Sequence, residues 1–301
     1  MDLCYPTAMS SYRSSARPSA FALVADDYAL TDGVSRAILE LATAGRISGT
    51  GAMTNRPAWP EAAKALREHE GRIDMGLHLN MTLGRPLGPM RRLCGSDSLP
   101  AFNQLATLAF SARLDGVEIR DEILRQIDAF ALHYGRLPDY IDGHQHVHVL
   151  PGVRGALLDA VALRWAGEPK PVLRDPFDTP GAILARGVAP VKATVIAALA
   201  IGWGRRLDRA GLPHNQGFSG VSAFDPKRDY AIDFDRFLQA PGPAHLVMCH
   251  PGFPDAELAA LDPVTECRAV EHCYLASEDF AVHLANNPFE LRRLTQLTAQ
   301  P

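Results

Sequence analysis

Aspartate and histidine side chains occur at separate points of this chain in a combination that can bind a divalent metal ion. Asp26 and Asp27 are adjacent, His78 lies further along, and residues 142–148 contain three more histidines. One carboxylate and two imidazoles would hold the ion and leave a coordination position open, which is characteristic of catalytic sites. The second carboxylate could then accept a proton from the attacking water. The pattern therefore predicts a metal-dependent hydrolase.

The apolar run Ala20 to Ala25, directly before the aspartate pair, predicts a strand that is buried on both faces. Adjacent aspartates often only cap helices or turns, but at the end of a buried strand their charges must be paired or metal-bound. Neighbouring side chains of an extended strand point in opposite directions. Asp26 and Asp27 can therefore serve one site only if the chain bends. We expect the turn into a helix capped by Thr31 or Asp32 to supply that bend.

His144, His146 and His148 occupy every second position in a segment that begins with Asp142. Residues at this spacing point to one side of an extended segment. Three imidazoles crowded on one face are costly unless a metal, a carboxylate or a substrate uses them, so we interpret the run as functional. The spacing does not say which of the three binds metal. His78 lies between two leucines and, taken alone, is more typical of a buried core histidine.

The elements that must position these residues alternate between strands and helices. Apolar periodicity predicts a helix that ends at Gly45, further helices at 60–69, 117–134 and 153–165, and strands at 20–25, 47–53, 73–79, 140–142, 171–174 and 244–249. This alternation predicts an α/β protein with a mostly parallel sheet, whose active site lies at the carboxyl ends of the strands. The two aspartates, His78, His144 and His250 all lie at such ends. Residues 175–224 are interrupted by prolines and predict insertions around the site.

Size, charge and cysteine content limit the class of protein and argue against nucleic-acid binding. The 301 residues are 47% hydrophobic and 21% charged, which is enough for one barrel-sized domain or two smaller ones. The formal net charge is −4 and no segment is rich in lysine or arginine, so the sequence is unlike that of a nucleic-acid-binding protein. Five cysteines without a Cys-x-x-Cys pair predict reduced thiols and a cytoplasmic location.

Two further stretches bear on targeting and membranes. Residues 1–19 are polar and lack the apolar core of a secretory signal, so we expect a disordered leader. The apolar run at 195–203 is far shorter than the ~20 residues that span a bilayer. It predicts a buried helix, with a membrane-surface helix that meets a lipid-linked substrate as the weaker alternative.

Four motifs resemble the YdjC-like carbohydrate deacetylases, a family that includes chitooligosaccharide deacetylases and hopanoid-associated sugar deacetylases. They are Ala-Asp-Asp-Tyr at 25–28, Gly-Leu-His-Leu at 76–79, Asp-Gly-His-Gln-His-Val-His-Val-Leu-Pro at 142–151 and Met-Cys-His-Pro-Gly at 248–252. The resemblance covers about residues 20–285. It implies a single-domain distorted (β/α) barrel of the glycoside hydrolase/deacetylase type with insertions. Independently of the resemblance, the pattern of roughly the last forty residues predicts helices, and we assign residues 286–301 to a helical tail.

The same resemblance implies a role for each motif residue. Asp27, His78 and His144 match the ligands of one divalent metal ion, Asp26 matches the general base, and His250 matches a histidine suited to act as general acid. The ion would be magnesium or zinc, with manganese or cobalt as alternatives. A mixed set of one carboxylate and two imidazoles accepts all four.

Residues around this centre match the family less specifically. Arg174 stands where the family commonly has an arginine near the site, and Asp142 could orient an imidazole by accepting its other N–H. His146 and His148 would support the ligands or contact sugar hydroxyls. Tyr28 stands where the family usually has phenylalanine, a change that would alter packing or add a hydroxyl near the metal.

The implied activity is removal of an N-acetyl group from an amino sugar, free, oligomeric or lipid-linked, by a possible homodimer. Hydrolysis of another amide or ester is the main alternative, although phosphodiesterases usually have more positive charge or a second metal. An inactive sugar- or metal-binding protein of the same fold would need neither Asp26 nor His250. A glycosidase is disfavoured because adjacent carboxylates do not flank a scissile bond at ~5 Å or more.

Overall fold

The structure is a computed structural model that describes residues 20–94, 97–286 and 288–299. Helices and strands alternate along most of the chain. The strands are β1 (Ala20–Tyr28), β2 (Gly49–Ala52), β3 (Asp74–Leu79), β4 (Tyr140–Gly143), β5 (Val172–Leu173), β6 (Phe218–Ser219), β7 (His245–Cys249) and β8 (Glu290–Leu291). The α-helices are α1 (Asp32–Thr43), α2 (Trp59–Leu66), α3 (Phe102–Phe110), α4 (Gly116–Tyr134), α5 (Val153–Arg164), α6 (Pro180–Arg186), α7 (Pro190–Leu199), α8 (Trp203–Ala210), α9 (Tyr230–Phe237), α10 (Ala256–Leu261), α11 (Glu266–Ala276), α12 (Glu278–Asn286) and α13 (Leu294–Thr298).

The sheet is parallel and curls into a distorted barrel. Its strand order is β5-β4-β3-β2-β1-β7-β6, and β8 pairs with the start of β1. A single parallel bridge between Leu173 and His214 joins β5 to the residues just before β6, so that seven strands form a ring. The predicted single-domain (β/α) barrel is therefore confirmed.

Alternate side chains of β1 enter two different cores, as the period of two in a strand requires. Ala22 and Val24 pack inside the ring with Tyr140 and Met248. Phe21, Leu23, Ala25 and Tyr28 face the outer layer, where the apolar faces of the surrounding helices cover the sheet. Because β1 is buried on both faces and pairs with β2 and β7, it is an interior strand of the sheet.

The apolar run at 195–203 does not form the buried helix that its composition predicts. It is divided between α7 and α8, and Val195 and Ile201 are 56% and 60% exposed, whereas Ile196 and Trp203 are buried. When a helix is apolar on most of its surface, its sequence does not indicate which face packs against the rest of the protein. Here Val195, Ile196 and Leu199 of α7 line a cavity at the carboxyl ends of the strands. Within the part of the chain that the structure describes, no helix has the length and apolar character needed to cross a membrane.

The two ends of the chain differ in what the structure describes. The predicted disordered leader, residues 1–19, lies outside the described residues. The segment predicted as a helical tail contains the end of α12, the short strand β8 and the helix α13. Leu294 of α13 reaches the interior of the ring, and Thr295 donates two hydrogen bonds to Asp74 at the start of β3.

Candidate active site

The carboxyl ends of the central strands bring the predicted site residues together. Asp26 and Asp27 lie near the end of β1 and His78 near the end of β3. His144 follows β4 directly, and His250 follows β7. Because parallel strands end at the same edge of the ring, residues far apart in sequence meet at one mouth of the barrel.

The bend that allows both aspartates to face this mouth lies within β1. Asp27 has a φ of 72°, in the left-handed region, and the pairing of β1 with β2 is irregular between Ala25 and Tyr28. Asp26 therefore keeps the inward direction of Val24, while the left-handed residue turns Asp27 toward the same opening. The sequence predicts this bend in the turn between β1 and α1, whereas the structure places it at Asp27, within β1. Such backbone strain in a non-glycine residue is concentrated at functional sites.

Asp27, His78 and His144 form a compact group of possible metal ligands. Asp27 Oδ1 lies 3.2 Å from His78 Nε2 and 2.9 Å from His144 Nδ1. One ligand atom from each residue lies within 4.8 Å of the others. Burial alone would raise the pKa of Asp27, but Arg268 and the two imidazoles outweigh it and hold that pKa well below its usual range. The group thus offers one anionic oxygen and two nitrogens, a set that fits a divalent ion.

Asp26, His78 and Asp142 form a second group of possible metal ligands. An arginine side chain, that of Arg174, already contacts its two carboxylates. The two guanidinium nitrogens lie 2.7 and 2.6 Å from the oxygens of Asp26, and Nη2 lies 2.5 Å from Asp142 Oδ2. Arg174 occupies both carboxylates of this second group, whereas the arginine beside Asp27, Arg268, contacts only Oδ2 and leaves Oδ1 facing the two imidazoles. The Asp27 group is therefore the better candidate for a metal site.

Asp142 fixes the ring of His78. His78 Nδ1 donates to Asp142 Oδ1 over 2.6 Å, which leaves Nε2 directed at Asp27. Burial lowers the pKa of His78, but the Asp142 and Asp26 carboxylates outweigh burial and raise it to about 10. A carboxylate behind a ligating imidazole is a common arrangement that orients the ring and increases its basicity. Metal binding at Nε2 would displace a proton.

The three histidines after β4 do not share one side, so that prediction is wrong. Gln145 and His146 have left-handed backbone angles, and residues His144–Val149 form a 3₁₀ turn rather than an extended segment. Only His144 reaches Asp27. His146 lines the cavity and packs edge-on against Phe218. His148 is buried and donates from Nε2 to a backbone carbonyl oxygen, and burial, followed by the charge of a nearby arginine, lowers its pKa to about 3.

His250 lies beside Asp26, the carboxylate that Arg174 also contacts. Its Nε2 lies 3.9 Å from Asp26 Oδ2, its ring meets Phe224 edge-on, and its backbone N–H donates to Glu271 over 2.6 Å. Burial lowers the pKa of His250 to about 4. Its imidazole is therefore neutral near pH 7 before a reaction begins.

Sequence reasoning missed two charged residues of α11. Arg268 contacts Asp27, and Glu271 holds the backbone of His250. Both lie in a C-terminal segment whose pattern predicts only a helix, and nothing in that pattern indicates that its charged residues face the site. The structure also decides between the two effects expected of Tyr28, because its hydroxyl donates to the carbonyl oxygen of Ala62 in α2 and thus serves packing.

A cavity of about 550 Å³ opens above these residues. Asp26, Asp27 and His78 are among the residues that line it. Its walls are mostly apolar and include Phe102, Val195, Ile196, Leu199, Phe224 and Val264. This volume is ordinary for a small-molecule site, and apolar walls with a few convergent polar groups are the usual form of such sites.

Replacing Arg174 by methionine should destabilise the protein strongly. The side chain is fully buried, and its removal leaves the Asp26 and Asp142 carboxylates buried without their cation. Loss of one partner of a buried ion pair costs ~3–5 kcal/mol. Urea unfolding would measure the change. The control is Arg164→Met, which removes an exposed pair with Asp128 and should cost at most ~1 kcal/mol. Equal stability of the two variants would contradict this role for Arg174.

The fold and the site define a parallel (β/α) barrel with an Asp-His-His group at the carboxyl ends of its strands. Within that class the chain belongs to the YdjC-like protein family, whose family model matches residues 21–286.

Curated relatives match part of the chain. The human protein named carbohydrate deacetylase is 35% identical over 144 residues, which cover 46% of this chain and 44% of the relative. The chitooligosaccharide deacetylase of Serratia marcescens is 35% identical over 129 residues, which cover 43% of this chain and 50% of the relative. The chain therefore spans about half the length of the curated relatives it matches.

A solved structure supports the architecture. A protein of Enterococcus faecalis V583, provisionally named for cellobiose-phosphate cleavage, aligns with 93% of this chain and 99% of its own length. The TM-score is 0.69 and the sequence identity 19%. At this identity the likeness concerns the fold alone.

Proposed function

We propose that this protein is a metal-dependent hydrolase that removes the N-acetyl group from an amino sugar and releases acetate. The observation that carries the proposal is that Asp26 and His250, which lie 3.9 Å apart, line the same cavity as the Asp27, His78 and His144 group. A base, an acid and a metal site are the three parts that hydrolysis of an unactivated amide needs. The names of the relatives, carbohydrate and chitooligosaccharide deacetylase, supply the substrate class.

Each residue of the site has a distinct part in this proposal. Asp27, His78 and His144 would hold the divalent ion, which when bound polarises the acetyl carbonyl and makes water more acidic. Asp26 would take the proton of the attacking water, since Arg174 fixes both of its oxygens beside the cavity. A carboxylate held in place in this way is ready to accept the proton without further reorganisation.

The low pKa of His250 sets an order for the proton transfers. A neutral imidazole cannot begin as the acid, so His250 must first gain a proton, and Asp26 at 3.9 Å would supply it after it has taken one from water. His250 would then pass that proton to the departing amine. One proton of the attacking water would thus move through Asp26 and His250 to the leaving group, which balances the hydrolysis.

Replacing His250 by alanine should affect amide and activated ester substrates differently. An amine leaves only after protonation, whereas an activated aryl alcohol departs without it. We expect His250→Ala to lower turnover of an N-acetylhexosamine by ~10²-fold or more and to leave hydrolysis of an aryl acetate nearly unchanged, with equal bound metal. Equal losses on both substrates would instead assign His250 to oxyanion stabilisation or to the integrity of the site.

The apolar walls of the cavity favour a sugar that carries an apolar group. Val195, Ile196 and Leu199 of α7 face the cavity, where a hydrophilic oligosaccharide would gain little from contact with aliphatic side chains. Val191 and Ile201, at or beside the ends of α7, are exposed to solvent. A lipid-linked or alkyl-linked N-acetylated sugar would use these walls and would approach from a membrane surface.

Acetate release from a panel of N-acetylated sugars tests the proposal. The panel contains N-acetylglucosamine, its short β-1,4-linked oligomers and an alkyl N-acetylglucosaminide, each assayed after chelation and after return of Mg²⁺, Zn²⁺, Mn²⁺ or Co²⁺. We expect activity to vanish on chelation, to return with metal, and to be highest on the alkyl glycoside. Hydrolysis of simple esters or of other amides only would favour the alternative hydrolase, and metal or sugar binding without turnover would favour the inactive protein. The cytoplasmic location and the homodimer stay predictions.

A further inference from the structure

Arg268 lies on α11, outside the four motifs, yet its guanidinium reaches the proposed metal carboxylate. Its Nη2 donates to Asp27 Oδ2 over 2.6 Å and to Asp262 Oδ2 over 2.7 Å, and its Nε donates to the carbonyl oxygen of Val264 over 3.1 Å. The residue is 2% exposed. Asp262 and Val264 therefore hold the plane of the guanidinium in the orientation in which it meets Asp27.

The two oxygens of Asp27 have different neighbours. Oδ1 faces His78 and His144, whereas Oδ2 accepts from Arg268. A charge-assisted hydrogen bond on one oxygen opposes rotation of the carboxylate. Asp27 is thus held in the orientation that directs a single oxygen toward the two imidazoles.

The burial of Arg268 is difficult to explain by packing alone. Among the residues that the structure describes, its Nη1 has no hydrogen-bond partner, and that atom is sealed from solvent. A buried charged donor without a partner lowers stability, and apolar side chains usually fill such space at lower cost. The contact with Asp27 explains the presence of an arginine at this buried position, whereas packing does not.

We propose that Arg268 is a positioning residue of the metal site, which presents Asp27 through Oδ1 alone and so sets the affinity and coordination number of the bound ion. The inference rests on the proposed function, because it requires the Asp27, His78 and His144 group to bind metal. It also gives the adjacent aspartates separate supports. Arg174 holds Asp26, and Arg268 holds Asp27.

The variant Arg268→Lys tests this role because it keeps the positive charge. A lysine amine replaces the planar fork and cannot serve Asp27, Asp262 and Val264 in the same way. We expect the affinity for Co²⁺, measured by competition with a chromophoric chelator, to fall ~10–100-fold, as it does when a ligand loses its supporting hydrogen bond. The matched control is Glu271→Gln, one turn further along α11, which contacts His250 but not the metal group. It should keep the wild-type affinity.

The visible absorption spectrum of the Co²⁺-loaded protein provides a second measurement. If Arg268 no longer holds Oδ2, Asp27 can bind through both oxygens, which raises the coordination number and weakens the absorption bands. Unfolding in metal-free buffer would establish that the variant is folded. If it is not, Asp262→Ala removes one support of Arg268 and should shift the spectrum in the same direction by a smaller amount.

The outcomes separate this inference from the proposed function. Wild-type affinity together with an unchanged cobalt spectrum in folded Arg268→Lys, or an unchanged spectrum in Asp262→Ala where that variant is used, would overturn the positioning role and leave the metal site intact. Failure of the wild-type protein to bind Co²⁺ would overturn both.

Discussion

Replacing Asp27 by alanine should leave the protein with little bound metal and little activity. Asp27 supplies the only carboxylate of the proposed ligand group, and its Oδ1 lies between the two imidazoles. The loss of affinity should exceed the ~10–100-fold that follows removal of a supporting hydrogen bond, because here the ligand itself is removed. Elemental analysis after dialysis would measure the bound metal. His78→Ala and His144→Ala should behave in the same way.

His146→Ala is the control for the choice of histidine. His146 lies two residues from His144 and lines the same cavity, but its ring packs against Phe218 and does not reach Asp27. We expect this variant to retain full metal stoichiometry. If His144→Ala binds metal normally while His146→Ala loses it, the ligand assignment is wrong at this position.

The sequence predicts the parts of this protein that depend on local periodicity. Apolar runs followed by polar residues indicate β1, β3, β4 and β7, and the helices between them indicate that the strands are parallel. The meeting of Asp26, His78 and His250 then follows from topology, because parallel strands end at one edge of the barrel. Large separations along the chain do not weaken that inference.

The parts that the sequence does not predict depend on tertiary contacts. Left-handed backbone angles occur at three residues that are not glycine, Asp27, Gln145 and His146. The residue types at these positions therefore do not predict the bend in β1 or the 3₁₀ turn. As a result, the expected alternation of the three histidines fails. Arg268 escapes detection for a related reason, since a charged residue in a helix is usually exposed and only the docking of α11 turns it toward Asp27.

Asp26→Asn should keep the metal and lose most of the turnover. The amide has nearly the shape of the carboxylate but cannot accept the proton of the attacking water, and loss of a general base costs ~10²-fold or more. Asp26 makes its hydrogen bonds with Arg174 and is not one of the three proposed ligands, so the variant should retain most of the bound metal. Arg174 donates to both oxygens of Asp26, so in the variant one of its N–H groups will face the amide nitrogen and lose its acceptor. Because this lowers stability, turnover must be measured well below the unfolding temperature of the variant. Kinetics, metal content and thermal unfolding measured on one preparation would separate these effects. Loss of metal together with activity in a folded variant would show that Asp26 and Asp27 share or exchange their roles.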